Sequence, residues 1–284
     1  MLVNLKDVLI PARKGQYAVG LFNAPNLELA RGIIEAAKEL RSPVIIGTAE
    51  VLLPITPLED IAAIILSMAR RATVPVVLHF DHGLTFENCL RALQLGFTSI
   101  MYDCSTDTYE ENVRKVGEMS RIAHAFGASI EAELGHVGDN EGSVEAVEGA
   151  DTASLYTDPE QAQDFVTRTD VDALAVAVGS AHGAYKLPPK LDFDRIDQIA
   201  RVTGIPLVLH GGSGLTPDDF KRAIAKGINK VNIFTDINVA SAKAVRDSLA
   251  VGKSAMTDLI APQIEATRQV TMEKMRCFAS DGKA

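Results

Sequence analysis

Cysteine is scarce in this chain: Cys89, Cys104 and Cys277 are three among 284 residues. They have no paired spacing, which excludes a disulfide framework. No apolar run approaches ~18 residues, so no membrane-spanning helix is expected. The opening segment MLVNLKDVLIPARKG lacks the basic start, apolar centre and small-residue cleavage site of a signal peptide. A reduced, cytoplasmic setting is therefore the expectation. Positive charge is also short, since 28 Lys and Arg stand against 37 Asp and Glu for a net charge of −9. That balance argues against a nucleic-acid surface, which needs clustered basic residues. A small phosphorylated ligand remains compatible, because backbone N–H groups and helix N-termini hold phosphate without net positive charge. Linkers and low-complexity stretches are absent too, so residues 1–284 are expected to form one domain.

The content is 47% hydrophobic and 23% charged, which is that of an ordinary globular enzyme. Short β-type runs alternate with longer helical patterns. Strands are expected at 17–22, 43–47, 75–80, 98–103, 128–134, 172–178, 205–210 and 229–234. Between them apolar residues recur with helical spacing, as at Leu58, Ile61, Ile65 and Met68. Eight such units are the number that closes a parallel barrel, so the expected fold is α/β, a (β/α)8 TIM barrel. Residues 254–284 read as a C-terminal helical extension that caps the barrel or reaches a partner subunit. Thr85, Thr216 and Thr235 are expected helix N-caps, with Pro217 at the first helical position. Three connections exceed a plain turn: 48–57, 179–190, and the acidic, glycine-rich 135–157, which has the character of a functional lid.

Three histidines stand where strand-like runs stop: His82 in VVLHFDHG, His182 in ALAVAVGSAHG and His210 in PLVLHGGSG. In a parallel barrel the C-terminal ends of strands build the active site. The third, sixth and seventh expected strands lie on one side, so these tips can converge on one ion. Three imidazoles leave a fourth position open, which is a catalytic metal arrangement. Neutral imidazoles suit Zn²⁺, with cobalt, iron and manganese also compatible. His79 is expected in the barrel interior and His124 on a helix, while the role of His136 is open.

Asp81 adjoins the first of these histidines and is placed to exchange a proton with a metal-bound substrate. Glu131 and Glu133 are expected to face opposite ways along the fifth strand unless a bulge intervenes. Glu133, nearer the mouth, is a candidate metal ligand or a partner of one, and Asp103 at the end of the fourth strand is similarly ambiguous. Glycines cluster after the seventh strand in HGGSG (210–214), and NIFTD (232–236) follows the eighth. That is where barrel enzymes hold phosphate. Gly211, Gly212 and Ser213, with Asn232, Ile233, Phe234 and Thr235, are the expected cradle, to which Asn23 at the first strand tip is added. No lysine stands at a strand tip with a motif that would support Schiff-base chemistry.

AFGASIEAELGHVGD, GSAHGAYK, LVLHGGSGL and KVNIFTDIN, with FDHG earlier, resemble the class II, metal-dependent ketose-phosphate aldolases along the whole chain. Length places the resemblance with the branch containing tagatose-bisphosphate and many bacterial fructose-bisphosphate aldolases. The resemblance implies Zn²⁺ held by His82, His182 and His210, and Asp81 as the proton donor and acceptor at the C4 hydroxyl. It implies dihydroxyacetone phosphate bound through Gly183, Gly211 to Ser213 and Asn232 to Thr235. Glu133 corresponds to a second metal-associated carboxylate, Glu141 loosely to a mobile-loop acid, and Asn232 to a donor toward the enediolate. A second metal or a monovalent cation near the phosphate and a homodimeric or homotetrameric assembly are also implied. The implied product pair is dihydroxyacetone phosphate and an aldehyde such as glyceraldehyde 3-phosphate.

The chain departs from that pattern twice. Phe234 stands where the family usually has a small or polar residue. The C-terminal region AVGKSAMTDLIAPQIEATRQ lacks the Asp-Pro-Arg-Lys-Tyr-like stretch that helps hold a distal phosphate, leaving Lys253 and Arg268 as substitutes. A ketose 1-phosphate giving a non-phosphorylated aldehyde is therefore the alternative substrate. Two other classes compete. A zinc hydrolase on this barrel usually has His-x-His on its first strand, and AVGLFN (18–23) has no histidine. A sugar-phosphate-sensing barrel would be expected to have lost Asp81 or a ligand, and all four residues are present.

Overall fold

The computed structural model describes residues 1–135, 156–180 and 190–284. His136, Glu141, His182 and Gly183 lie outside the described residues. The chain runs β1 (Leu2–Val3), α1 (Leu5–Gly15), β2 (Val19–Asn23), α2 (Leu27–Leu40), β3 (Val44–Ala49), α3 (Leu58–Arg71), β4 (Val76–Gly83), α4 (Phe86–Leu95), β5 (Ser99–Tyr102) and α5 (Tyr109–Ala125). It continues through β6 (Ser129–Leu134), α6 (Pro159–Thr169), β7 (Ala173–Val176), α7 (Phe193–Thr203), β8 (Leu207–Leu209), α8 (Pro217–Ala225), β9 (Ile228–Ile233), α9 (Thr235–Ala250) and α10 (Met256–Cys277). Strands β2 to β9 pair in parallel, each with the next, and β9 pairs back onto β2. The sheet is thus a closed eight-stranded TIM barrel, and each expected strand is one of its staves.

Alternation along the strands separates two environments. Phe22, Ile46, Leu78, Phe80, Ile130, Val231 and Ile233 face outward into the apolar shell under the helices. Val19, Leu21, Ile45, Val77, Ala173, Ala175 and Val208 face inward at the lower end of the barrel. There they meet Leu5, Val8, Leu9 and Ala12 of α1. Helix α1 therefore plugs the floor. Its start is fixed by a capping box, with Asn4 accepting from the Asp7 amide and Asp7 accepting from the Asn4 amide. The two-residue β1 pairs beside the start of β4, below the point where β5 begins to pair at His79–Ser99.

The C-terminal extension is helical as expected, and the floor of the barrel is closed by α1. Helix α10 lies along the flank with Met272, Met275 and Phe278 in the outer shell, and its end returns to β2 through Ala18 N–H donating to Phe278 O at 3.0 Å. Thr85 and Thr216 cap α4 and α8, with Pro217 opening the latter. Thr235 does not cap: it is the first helical residue of α9, and Phe234 occupies the cap position without a side-chain hydrogen bond. The connection after β3 is organised by a 3₁₀ turn, Glu50–Leu52. The Glu50 carboxylate accepts from the amides of Leu84 (2.7 Å) and Thr85 (3.2 Å) and from Asn88 Nδ2 (2.8 Å), anchoring the chain that leaves β4.

Candidate active site

Above the apolar floor the barrel interior turns polar. His79 and Asp81 of β4, Glu131 and Glu133 of β6, Lys230 and Asn232 of β9, Asn23 of β2 and His210 after β8 are all buried there. Glu131 and Glu133 share the inner face, because residues two apart on a strand point the same way; the expectation that they oppose each other is corrected. Their carboxylates bracket one imidazole: His210 Nε2 lies 3.0 Å from Glu131 Oε1, and Nδ1 lies 3.1 Å from Glu133 Oε2.

Asp81 and His82 are consecutive, so a regular strand would send them to opposite faces. His82 instead adopts φ 42°, and the pairing with β5 shifts register between Phe80 and Gly83. A left-handed conformation costs a non-glycine residue about 1–2 kcal/mol, and here it turns the imidazole over the mouth. The His82 ring comes to 4.5 Å from that of His210. Donor atoms of Asp81, His82 and His210 all lie within 4.8 Å of one another, as do those of His82, Asp103 and Glu133. Asp103 Oδ2 sits 2.7 Å from His82 Nδ1, and the Ser105 amide donates to its other oxygen at 3.1 Å. This contact engages Nδ1 and fixes the imidazole, which makes Nε2 the candidate metal-binding nitrogen. Asp103→Asn is accordingly expected to weaken metal retention about 10–100-fold, read by competition with a chromophoric chelator.

Asp81 is held from both sides. Asn23 Nδ2 donates to Oδ2 at 2.7 Å, and Asn232 Nδ2 donates to Oδ1 at 3.0 Å. Asn232 in turn accepts from Lys230 Nζ at 2.8 Å. Lys230 spans both oxygens of Glu131, at 3.0 and 2.8 Å. His79 donates to or accepts from Ser99 Oγ at 2.7 Å, with Nε2 3.8 Å from Asp81 and 3.9 Å from Glu131. Lys230, Glu131 and His79 were not singled out for the site by the sequence. The signal for the first two was their position, two residues before Asn232 and Glu133 on the same strand faces.

Burial and charge set the protonation states. Burial, reinforced by the Lys230 ammonium, lowers the His79 pKa to about 3 and keeps it neutral. For His210 burial works against the cation, but the bonds to Glu131 and Glu133 outweigh it and push the pKa up to about 10. Burial likewise raises Glu131, yet Lys230 and His210 bring it down to about 2. Asp81 is raised by burial and pulled further down by His82, Lys230 and His210, ending well below the carboxylate range. The carboxylates around His82 and His210 therefore favour positive charge at the mouth. Imidazole nitrogens within that acidic ring are a donor set that fits a divalent cation.

The residues expected to hold phosphate lie between the ends of β8 and β9, apart from Gly183 outside the described residues. Gly211 has φ 65°, and a Cβ on Gly212 would come within 2.6 Å of Val231 Cγ1 and 2.9 Å of Asn232 O. Glycine is what lets this turn lie against β9. Gly212 N–H donates to Asn232 O at 3.2 Å, and Asp236 N–H donates to Ser213 Oγ at 3.4 Å at the start of α9. Phe234 is half-buried there, whereas the Ile233 side chain lies in the outer shell, so only its backbone remains at the site. Lys274 of α10 reaches this corner, 2.6 Å from Asp236. Arg268, a substitute expected for the distal phosphate, instead pairs with Glu39 and Glu265 on the flank. Lys253 is exposed in the α9–α10 turn.

Among the described residues no helix is long and apolar enough to cross a membrane. Residues 3–283 match the family described as "Fructose-bisphosphate aldolase class-II". Among curated proteins, "Fructose-bisphosphate aldolase" of Geobacillus stearothermophilus is 43% identical over 290 residues, covering 100% of this chain and 99% of the relative. "Probable fructose-bisphosphate aldolase" of Bacillus subtilis (strain 168) is 41% identical over 288 residues with the same coverage. Among solved structures, the YdjI aldolase from Escherichia coli K12 superposes with a TM-score of 0.90 at 37% identity, covering 100% of both chains. A putative fructose-1,6-bisphosphate aldolase from Coccidioides immitis gives 0.88 at 31%, over 99% of this chain and 97% of that one. The barrel with its buried histidine and carboxylate mouth is thus an aldolase, and the chain belongs to the class-II fructose-bisphosphate aldolase family.

Proposed function

We propose that this chain reversibly cleaves the C3–C4 bond of a ketose phosphate to dihydroxyacetone phosphate and an aldehyde, using a divalent metal, Zn²⁺, held by His82, His210 and His182. The observation that carries the reading is Asp81, held by Asn23 and Asn232 beside the His82–His210 pair. When bound, the ion supplies a Lewis acid for the negative charge that cleavage leaves on the ketone side. Asp81, kept ionised, takes the proton of the C4 hydroxyl as that oxygen becomes a carbonyl. The bond electrons pass to C3, and Glu141 is the acid proposed to protonate that carbon. Asn23 and Asn232 fix the direction of the Asp81 oxygens, and Lys230 fixes Asn232. Amides at the start of α9, with Gly211, Gly212, Ser213 and Thr235, hold the 1-phosphate at a helix N-terminus, with Gly183 completing the cradle and a monovalent cation beside it.

The substrate class is a ketose 1-phosphate or 1,6-bisphosphate of the fructose or tagatose type. The pairing of Arg268 with Glu39 and Glu265 supports weak holding of a distal phosphate, so bisphosphates are not expected to be the best substrates. A cytoplasmic homodimer or homotetramer belongs to the same reading, supported by exposed apolar residues such as Val239, Leu249 and Val251. The test is release of dihydroxyacetone phosphate, coupled to NADH oxidation, across a panel of ketose phosphates. EDTA is expected to abolish it and Zn²⁺ to restore it. Metal-independent cleavage would overturn the metal assignment. A kcat/KM for the bisphosphates well above that for ketose 1-phosphates would reject the distal-phosphate reading.

A further inference from the structure

The turns expected to hold the 1-phosphate open two helices, α8 and α9, and a third helix reaches both. Lys274, in the last turn of α10, is only 8% exposed. Its ammonium lies 2.6 Å from Asp236 Oδ2, in the first turn of α9. It also lies 5.3 Å from the centre of the Phe220 ring, one turn into α8. Phe220 is buried and packs edge-on against Phe278 at the end of α10, with ring centres 5.0 Å apart. Ring and carboxylate together fix where the ammonium sits. Asp236 is in turn part of the corner itself, since its N–H donates to Ser213 Oγ at 3.4 Å.

The charge of Asp236 bears on the ligand. A carboxylate in the first turn of a helix is drawn to the positive end of the helix dipole. A phosphate draws on that same end, so an unpaired Asp236 would compete with it and repel it. Lys274 is the ion-pair partner of Asp236 among the described residues, and it offsets that negative charge.

We propose that Lys274 is a positioning residue of the phosphate subsite, acting through Asp236. By neutralising this carboxylate it leaves the amides at the start of α9 to the substrate phosphate, on the reading that the 1-phosphate binds between the ends of β8 and β9. The phosphate takes no part in C3–C4 cleavage, so its weaker binding is expected to appear in KM and not in kcat. In the metal-loaded enzyme Lys274→Met is expected to raise KM for the cleaved ketose phosphate about tenfold, with kcat nearly unchanged. Isothermal titration with dihydroxyacetone phosphate is expected to show the same loss, and Lys274→Arg to restore both values. Asp236→Asn, which leaves the ammonium unopposed, is expected to bind dihydroxyacetone phosphate more tightly than wild type. The double variant Asp236→Asn/Lys274→Met is expected to return close to wild-type affinity.

The two variants lacking the carboxylate decide the role of Lys274 even where Lys274→Met is too unstable to purify. Binding by Asp236→Asn that is no tighter than wild type overturns the proposal, as does a double variant as weak as the tenfold loss. A folded Lys274→Met enzyme with wild-type KM, or one in which kcat falls with the affinity, overturns it too, the latter being the mark of helix packing alone. Wild-type enzyme that binds dihydroxyacetone phosphate but cleaves no ketose phosphate would sink the aldolase reading and leave Lys274 to the titrations. Wild-type enzyme that does not bind it overturns both.

Discussion

Asp81→Ala is expected to lower kcat about 10²–10⁴-fold, the span of a lost general acid–base group, while the protein keeps its metal. Steady-state kinetics paired with metal analysis of the purified variant checks both halves. The distinction matters because an Asp81 oxygen lies within 4.8 Å of donor atoms on His82 and His210, close enough for ligation to be a competing role. Metal loss in the variant would make Asp81 a ligand and remove it as the proton acceptor. A matched His182→Ala variant is expected to lose metal and turnover together, which supplies the contrast. Some destabilisation will accompany Asp81→Ala, since the amides of Asn23 and Asn232 lose their shared acceptor. Unsatisfied buried donors cost about 1–3 kcal/mol, too little to account for the kinetic effect if the variant stays folded at assay temperature.

Lys230→Met is expected to lower stability by about 3–5 kcal/mol, because it strips a counter-charge from a buried carboxylate. The ammonium lies 2.8 Å and 3.0 Å from the two oxygens of Glu131, and both residues are fully buried. Urea unfolding of wild type and variant measures the difference, provided the transition is reversible. Activity is expected to fall as well, since Asn232 loses the 2.8 Å contact that holds its carbonyl and so its amide is less firmly aimed at Asp81. The double variant Lys230→Met/Glu131→Gln separates charge from packing. Removing both charges is expected to recover part of the stability, because a neutral pair of similar volume no longer carries an unpaired ion. If the single variant unfolds at the wild-type urea concentration, the ion pair does not hold the barrel interior together.

The site was partly legible because strand tips are legible. Asp81, His82 and His210 end apolar runs, and Asn23 and Asn232 end theirs. The structure brings these five together by closing the barrel, as the eight-fold pattern implies. Less legible was everything that depends on which way a side chain turns. His82 would point away from Asp81 on a regular strand, and only its left-handed backbone and the register shift with β5 bring both to the mouth. Helix α1 was illegible for a related reason: its Leu5, Val8 and Leu9 face has helical spacing, but that its target is the barrel floor is fixed by contacts distant in sequence. Arg268 was a free cation in sequence and is a paired one on the flank.

By itself, the sequence determined the parallel barrel, its eight strands and the chemistry of their tips, because strand periodicity and the placement of His, Asp and Gly are local properties of the chain. The tertiary structure alone decided the Lys230–Glu131 pair and the bracketing of His210 by two carboxylates. Each joins residues from different strands or helices. Such pairings exist only once closure sets the register between neighbours, and neither period nor composition encodes that register.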